Sequence, residues 1–159
     1  MNTTDARQLA EQLLHQHVTD SSWKFDFLSG KSHAGLCSYC KKTIFLNFDY
    51  THYAPEHQVK DTILHEIAHV IAGPNAGHGW AWKQACLRIG AEPTRLIETN
   101  EGNEAMNKVA MLTSNYRATC PNCNHTYYRV KRIREGSTYS CAHCRAPKEN
   151  RILTWVRTI

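Results

Sequence analysis

No stretch of this chain of 159 residues comes near the roughly 20 apolar residues needed to cross a bilayer. The opening MNTTDARQLAEQLLHQHV has no apolar run long enough for a secretory signal. These absences predict a soluble cytoplasmic protein with no membrane partner. Internal repeats and low-complexity tracts are also missing, which sets aside solenoids and arrays. Acidic residues are scarce at one end only: residues 117–159 hold 2 Asp/Glu against 9 Lys/Arg, whereas residues 1–116 hold 12 against 10. The net charge of +5 is therefore a first part of −2 and a tail of +7, a tail suited to an anionic partner or simply a solvated basic one. An even set of cysteines is lacking as well. Seven thiols without a secretory signal point to reduced cysteines and metal ligation rather than to a disulfide framework. The length allows one modest core and a second unit only if it is small, and a small unit needs a staple.

Thr3 or Thr4 can cap a helix with apolar positions at Leu9, Leu13, Leu14 and Val18, ending near His17. The alternation Trp23, Phe25, Phe27 reads as a strand closed by Ser29 and Gly30, with a hairpin-like turn after it. Residues 36–39 and 43–48 read as two paired strands, which makes a small antiparallel sheet ahead of the main helix. That helix opens at Pro55, carries Val59, Ile63, Ile67, Val70 and Ile71 on one stripe, and stops at Gly73-Pro74. A further helix runs from Trp80 to Ile89 and is capped by Gly90. Residues 98–116 are polar with little periodicity and read as a linker. The predicted division is a first domain over 1–97, the linker over 98–116 and a second unit over 117–159.

The chemistry sits on the main helix. His65-Glu66-Ile67-Ala68-His69 places two imidazoles one turn apart on the same side, where they can hold one Zn²⁺ with Glu66 beside it as general base. His78 follows nine residues after His69, and Gly73, Pro74 and Gly77 let the chain turn back. Catalytic zinc usually takes three protein ligands and keeps one position open. The implied reaction is peptide hydrolysis, with the metal polarising the carbonyl and Glu66 moving the proton from water to the leaving amine. A downstream Glu92 or Glu98 is the alternative third ligand, and ordinary polar histidines on a core helix are the bland one.

Cys120-Pro-Asn-Cys123 and Cys141-Ala-His-Cys144 are two knuckles at the spacing of a structural four-cysteine zinc site. With so little apolar content, this unit needs metal to fold. Residues 126–130 and 137–140 read as the strands of its hairpin, and His125 or His143 could only replace a thiolate that is already present. Basic residues, among them Arg129, Lys131, Arg132 and Arg134, alternate here with Tyr127, Tyr128, Tyr139 and Trp155. Cations for phosphates and rings for stacking suit single-stranded nucleic acid, though the rings can also pack the unit's own core. Cys37 and Cys40 form a third CxxC with no second pair and read as unligated thiols, and Cys86 as a small buried hydrophobe. Trp80 and Trp82 either wall the site or anchor the helix. His15, His17, His33, His52 and His57 lack ligand spacing.

The stretch DTILHEIAHVIAGPNAGHGWAWKQACLRIGAEP, preceded by GLCSYCKKTIFLN, closely resembles the SprT-like metallopeptidase family, which includes the Spartan proteases. The resemblance covers about residues 5–95, with His65, Glu66, His69 and His78-Gly79 matching its motif, and it favours His78 over Glu92 or Glu98. It implies an α+β, zincin-like fold followed by a small β zinc ribbon, and two zinc ions, one catalytic and one structural. The best understood members cleave proteins trapped on DNA. That implies a protein substrate and a DNA partner, single-stranded or junction-like, met through the ribbon. It also implies that the strand Thr43–Asn47 is the edge along which a substrate chain pairs. Trp80 departs from the family's usual small residue or Pro. The long partner-binding tail of eukaryotic members is lacking, which fits a compact bacterial or phage-like monomer in the cytoplasm or at the nucleoid. Two other functions compete: a nucleic-acid-binding regulator using the zincin fold as a scaffold, and a peptidase unrelated to nucleic acid.

Overall fold

A computed structural model describes residues 1–30, 33–94 and 100–158 of the chain. It divides into two units, Met1–Val109 and Ala110–Ile159. The first is α+β. Helix α1 (Thr3–His17) is capped by Asn2, whose side chain accepts from the Asp5 N–H at 2.8 Å, so neither predicted threonine is the cap. Ala6, Ala10, Leu13 and Leu14 form its buried stripe. Strands β1 (Lys24–Leu28), β2 (Gly35–Ser38) and β3 (Thr43–Asn47) make one sheet in the order β1-β3-β2.

This order corrects two expectations. The sheet is mixed, because β1 runs parallel to β3 while β2 runs antiparallel to it through the tight 39–42 turn. The strand β3 is central, so the edge beside the main helix is β2 rather than Thr43–Asn47. Alternation in a sequence shows which residues share a face but not which strands are neighbours, so both points had to come from the fold. Phe25, Phe27, Ile44 and Leu46 share the helix-facing side of the sheet and pack into the core.

Asn47 turns the chain from β3 into helix α2 (Phe48–Tyr53), where no helix was expected. The fully buried Asn47 side chain accepts from the Tyr50 N–H at 2.9 Å, while its amide donates to the carbonyls of Gly30 and His33. One short polar side chain thus satisfies a helix start and the approach to β2 together. Helix α3 (Glu56–Ala72) begins directly after Pro55 and ends at Gly73, where φ is 89°. Helix α4 (Trp80–Ile89) ends in the left-handed Gly90, as its sequence predicts. Residues 100–113, read as linker, form helix α5 (Asn100–Thr113); residues 98 and 99 lie outside the described part. Ala105 and Val109, one turn apart, are buried in the first unit's core with Met106 beside them, a stripe too narrow to stand out in a polar sequence. The boundary between the units falls inside this helix, within the 98–116 span read as linker.

The second unit is built on strands β4 (Tyr116–Thr119), β5 (Thr126–Arg129) and β6 (Val156–Arg157), in the order β5-β4-β6. The hairpin partner of β5 is β4, not residues 137–140, which instead meet the chain's return through a Ser140–Ile152 bridge. The buried core here is Ala118, Cys120, Cys141 and Leu153, with half-buried Tyr127, Tyr139 and Trp155 around it. Among the described residues no helix is long and apolar enough to cross a membrane.

Replacing Asn47 by Ala removes a cap acceptor and strands two carbonyls. The expected loss is about 2 kcal/mol of stability in the first unit, read in urea unfolding as a lower midpoint with an unchanged slope. An unchanged midpoint would show that Asn47 only fills space.

Candidate metal and catalytic site

Helix α3 carries His65, Glu66 and His69 on the side that meets β2 and α4. His78 reaches the same place from a loop that reverses through Gly73 and Gly77, both at positive φ, with the Gly79 N–H closing a turn on the Ala76 carbonyl at 2.9 Å. The Nε2 atom of His78 lies 3.0 Å from that of His65 and 3.2 Å from that of His69. Tetrahedral zinc with Zn–N bonds near 2.0–2.1 Å separates its nitrogen ligands by about 3.3 Å, so the three imidazoles fit such an ion. Burial, reinforced by the neighbouring imidazoles, holds His65 down to about 3; burial and His78 hold His69 to about 4. Both rings are therefore neutral at ordinary pH, with lone pairs free for a cation.

Trp82 closes the back of this cluster. It is 1 % exposed, and its ring centre lies 4.8, 5.5 and 4.7 Å from those of His65, His69 and His78. Trp80, two residues earlier, is 78 % exposed and anchors nothing in the core. The two tryptophans thus divide: Trp82 backs the histidines, and Trp80 stands in solvent.

Glu66 is 7 % exposed and takes a hydrogen bond from the Cys37 N–H. Burial nevertheless pushes its carboxyl up to about 8, close to the working range of a group that both takes and returns a proton. The histidines and Glu66 open onto a cavity of about 590 Å³ whose opposite wall is Ala34, Gly35, Leu36, Cys37 and Tyr39 of the β2 edge. Gly35 allows the close approach. A Cβ there would sit 2.7 Å from Glu66 Oε1 and 2.8 Å from Thr62 Cγ2. Of this wall the sequence reading singled out only the Cys37 pair, because nothing in a four-residue strand marks the face that meets a distant helix. The Cys37 thiol, raised to about 12 mainly by burial and then by Glu66, is a neutral wall group, and Cys40 is exposed. Cys86 is fully buried in the core.

Of the alternative third ligands, Glu92 is exposed, sits beside Asp61 and is not among the converging atoms; Glu98 lies outside the described residues.

In the second unit Cys120, Cys123, Cys141 and Cys144 bring their sulfurs within 4.8 Å of one another. The Cys120–Cys144 and Cys123–Cys141 separations are 3.9 and 3.7 Å, against about 3.8 Å for a tetrahedron of 2.3 Å Zn–S bonds. Tyr127, unassigned from sequence beyond its ring, braces one of these sulfurs. Its hydroxyl lies 3.1 Å from Cys141 Sγ and accepts from the N–H groups of Ala142 and His143. His125 and His143 stack on each other at 4.4 Å, outside the four-sulfur group.

The four predicted nucleic-acid contacts differ in burial. The Arg129 guanidinium lies 5.2 Å over the Tyr139 ring on the core side of the sheet, whereas Lys131, Arg132 and Arg134 are exposed beyond β5. On the outward side, Arg117 pairs with Tyr128 and with Val156, a rung of cation, ring and apolar side chain across all three strands.

The sequence model of the SprT-like family matches residues 4–102. Among solved structures, the crystal structure of a metallopeptidase zymogen, jannalysin of Methanocaldococcus jannaschii, is 21 % identical. That match covers 68 % of this chain and 96 % of that one, at a TM-score of 0.46. No curated protein matches significantly.

Glu66 makes the metal-stripped protein's stability depend on pH. Its folded value, about 8, lies above the ordinary 4.5, so its own contribution to stability falls as the pH climbs from about 4.5 through about 8, opposed up to about pH 6.5 by His65 and His69, whose lowered values make stability rise with pH there. Glu66→Gln should remove that falling contribution, leaving only the rise from the histidines, and make the variant more stable above pH 8 by a few kcal/mol, an order-of-magnitude figure. Urea unfolding in chelator across pH 4–9, read by tryptophan fluorescence, checks it; identical slopes would mean the carboxyl is solvated.

Proposed function

The chain belongs to the SprT-like family of metallopeptidases, and on that footing we propose that it is a zinc-dependent endopeptidase acting on proteins associated with DNA. One observation carries the proteolytic part: three imidazole nitrogens converge beside a buried carboxyl in an open cavity. His65, His69 and His78 would hold the ion. Zinc bound there supplies Lewis-acid activation of a water molecule and of the scissile carbonyl. Glu66, buried and raised to about 8, takes a proton from the attacking water and returns it to the departing amine. The edge strand β2 lies along the cavity, so an extended substrate segment can pair with its backbone and bring a peptide bond to Glu66.

Cys120, Cys123, Cys141 and Cys144 would hold a second, structural zinc, without which a buried apolar cluster of four residues is too small to fold the unit. The DNA part of the reading rests on charge and chemistry. The tail carries net +7, and the ribbon presents Lys131, Arg132 and Arg134 together with the outward Arg117–Tyr128 pair. A cytoplasmic, nucleoid-associated setting belongs to the same proposal.

Zinc analysis of the purified protein should give about two ions per chain, and about one in His78→Ala or in the Cys120→Ser, Cys141→Ser double variant. Glu66→Gln should keep both ions and lose at least 10²-fold in cleavage of a DNA-bound protein substrate, since proton transfer contributes about that much. Retained turnover would remove Glu66 from the mechanism, and a wild type with no ion on the histidines would leave the scaffold reading. Alanine at Lys131, Arg132 and Arg134 together should weaken DNA binding and flatten its salt dependence. Unchanged affinity would favour a peptidase that does not meet nucleic acid through these residues.

A further inference from the structure

Strand β2 and the first residue of the turn after it touch the metal helix at three alternate residues. Gly35 lies against Glu66, the Cys37 N–H bonds the Glu66 carboxylate, and the Tyr39 hydroxyl donates to the His69 carbonyl at 2.6 Å. The Tyr39 contact differs from the other two, because it grips the backbone of a candidate ligand rather than the base. His69 sits in the last turn of α3, and its carbonyl also accepts the capping Gly73 N–H at 2.9 Å. That carbonyl is held from two directions at the place where a helix would otherwise fray. Tyr39 is itself aimed: its ring meets Trp23 edge-on at 5.6 Å, and its hydroxyl is hydrogen-bonded to the Cys37 thiol.

We propose that Tyr39 is a positioning residue for the peptidase reaction: through the His69 carbonyl it fixes the ligand at the end of α3 against the edge strand that receives substrate. The inference rests on the reading of His65, His69 and His78 as the metal ligands. Two consequences follow from one hydrogen bond. The His69 imidazole keeps its place among the other two, so the metal is retained. The spacing between the β2 backbone and the metal is also set, so a paired peptide bond arrives in register. Outer-shell partners of metal ligands commonly matter by about 10–100-fold in affinity or activity.

Tyr39→Phe tests this in the full zinc-loaded chain, since it keeps the ring against Trp23 and removes only the hydroxyl. The variant should lose the ion of the three-histidine site to a chelator about 10-fold faster or more, while the four-cysteine ion leaves at the wild-type rate. After cobalt replacement, the absorption bands of the imidazole site should shift and the thiolate bands should not. With excess metal present, kcat should fall about 10-fold and KM should stay within about twofold. Wild-type metal release from Tyr39→Phe, or an effect confined to KM, overturns the proposal while the peptidase reading stands. If the wild type itself holds no ion on the histidines, the functional reading fails and this proposal fails with it.

Discussion

Three imidazole nitrogens about one hydrogen-bond length apart, in half-buried surroundings, cannot all be satisfied by one another. Each neutral ring offers a single lone pair toward the cluster, and a shared proton serves only two of them. The rest of the first unit is arranged around that constraint. Trp82 excludes water from behind the rings, α3 presents two of them at the correct pitch, and a loop with two positive-φ glycines delivers the third. Burial keeps His65 and His69 unprotonated. The same burial keeps Glu66 near neutrality in its tendency to give up a proton. One low-dielectric pocket thus prepares a ligand set and a base together, by acting in opposite directions on cationic and anionic acids.

The two candidate metal centres solve different problems. The four sulfurs close around their own centre, with the Tyr127 hydroxyl and nearby N–H groups helping to hold the Cys141 thiol below its ordinary value against the opposing effect of burial. A site of this kind stabilises a unit whose buried residues are few. The histidine cluster instead faces a cavity with a backbone edge on its far side, the arrangement expected where a ligand position must stay open. Its supports are correspondingly indirect, through Gly35 and Cys37 of one short strand and Tyr39 in the turn after it.

The mixed sheet order gives that strand its importance. With β3 in the centre and β1 beyond it, β2 is left with an unpaired side next to α3. Gly35 is where this costs sequence freedom, since any Cβ there would collide with the carboxylate that the strand helps to hold.

By itself the sequence determined the chemistry of the two centres. The i, i+4 pitch of His65 and His69, the glycines before His78 and the two cysteine knuckles are local patterns, and local geometry follows from bond lengths and helix rise. It determined α3, α4 and, in α1, the buried Leu13 and Leu14 for the same reason. Neighbourhood was decided only in three dimensions. That β1 lies parallel to β3, that the edge is Gly35–Ser38, that β5 pairs with β4, and that Arg129 turns toward Tyr139 all depend on which distant segments meet. Residues 100–113 show the same limit: Ala105 and Val109 become a helix stripe because a core is there to receive them. Period and spacing are written along the chain, whereas register and strand order come from long-range burial, which no local pattern encodes.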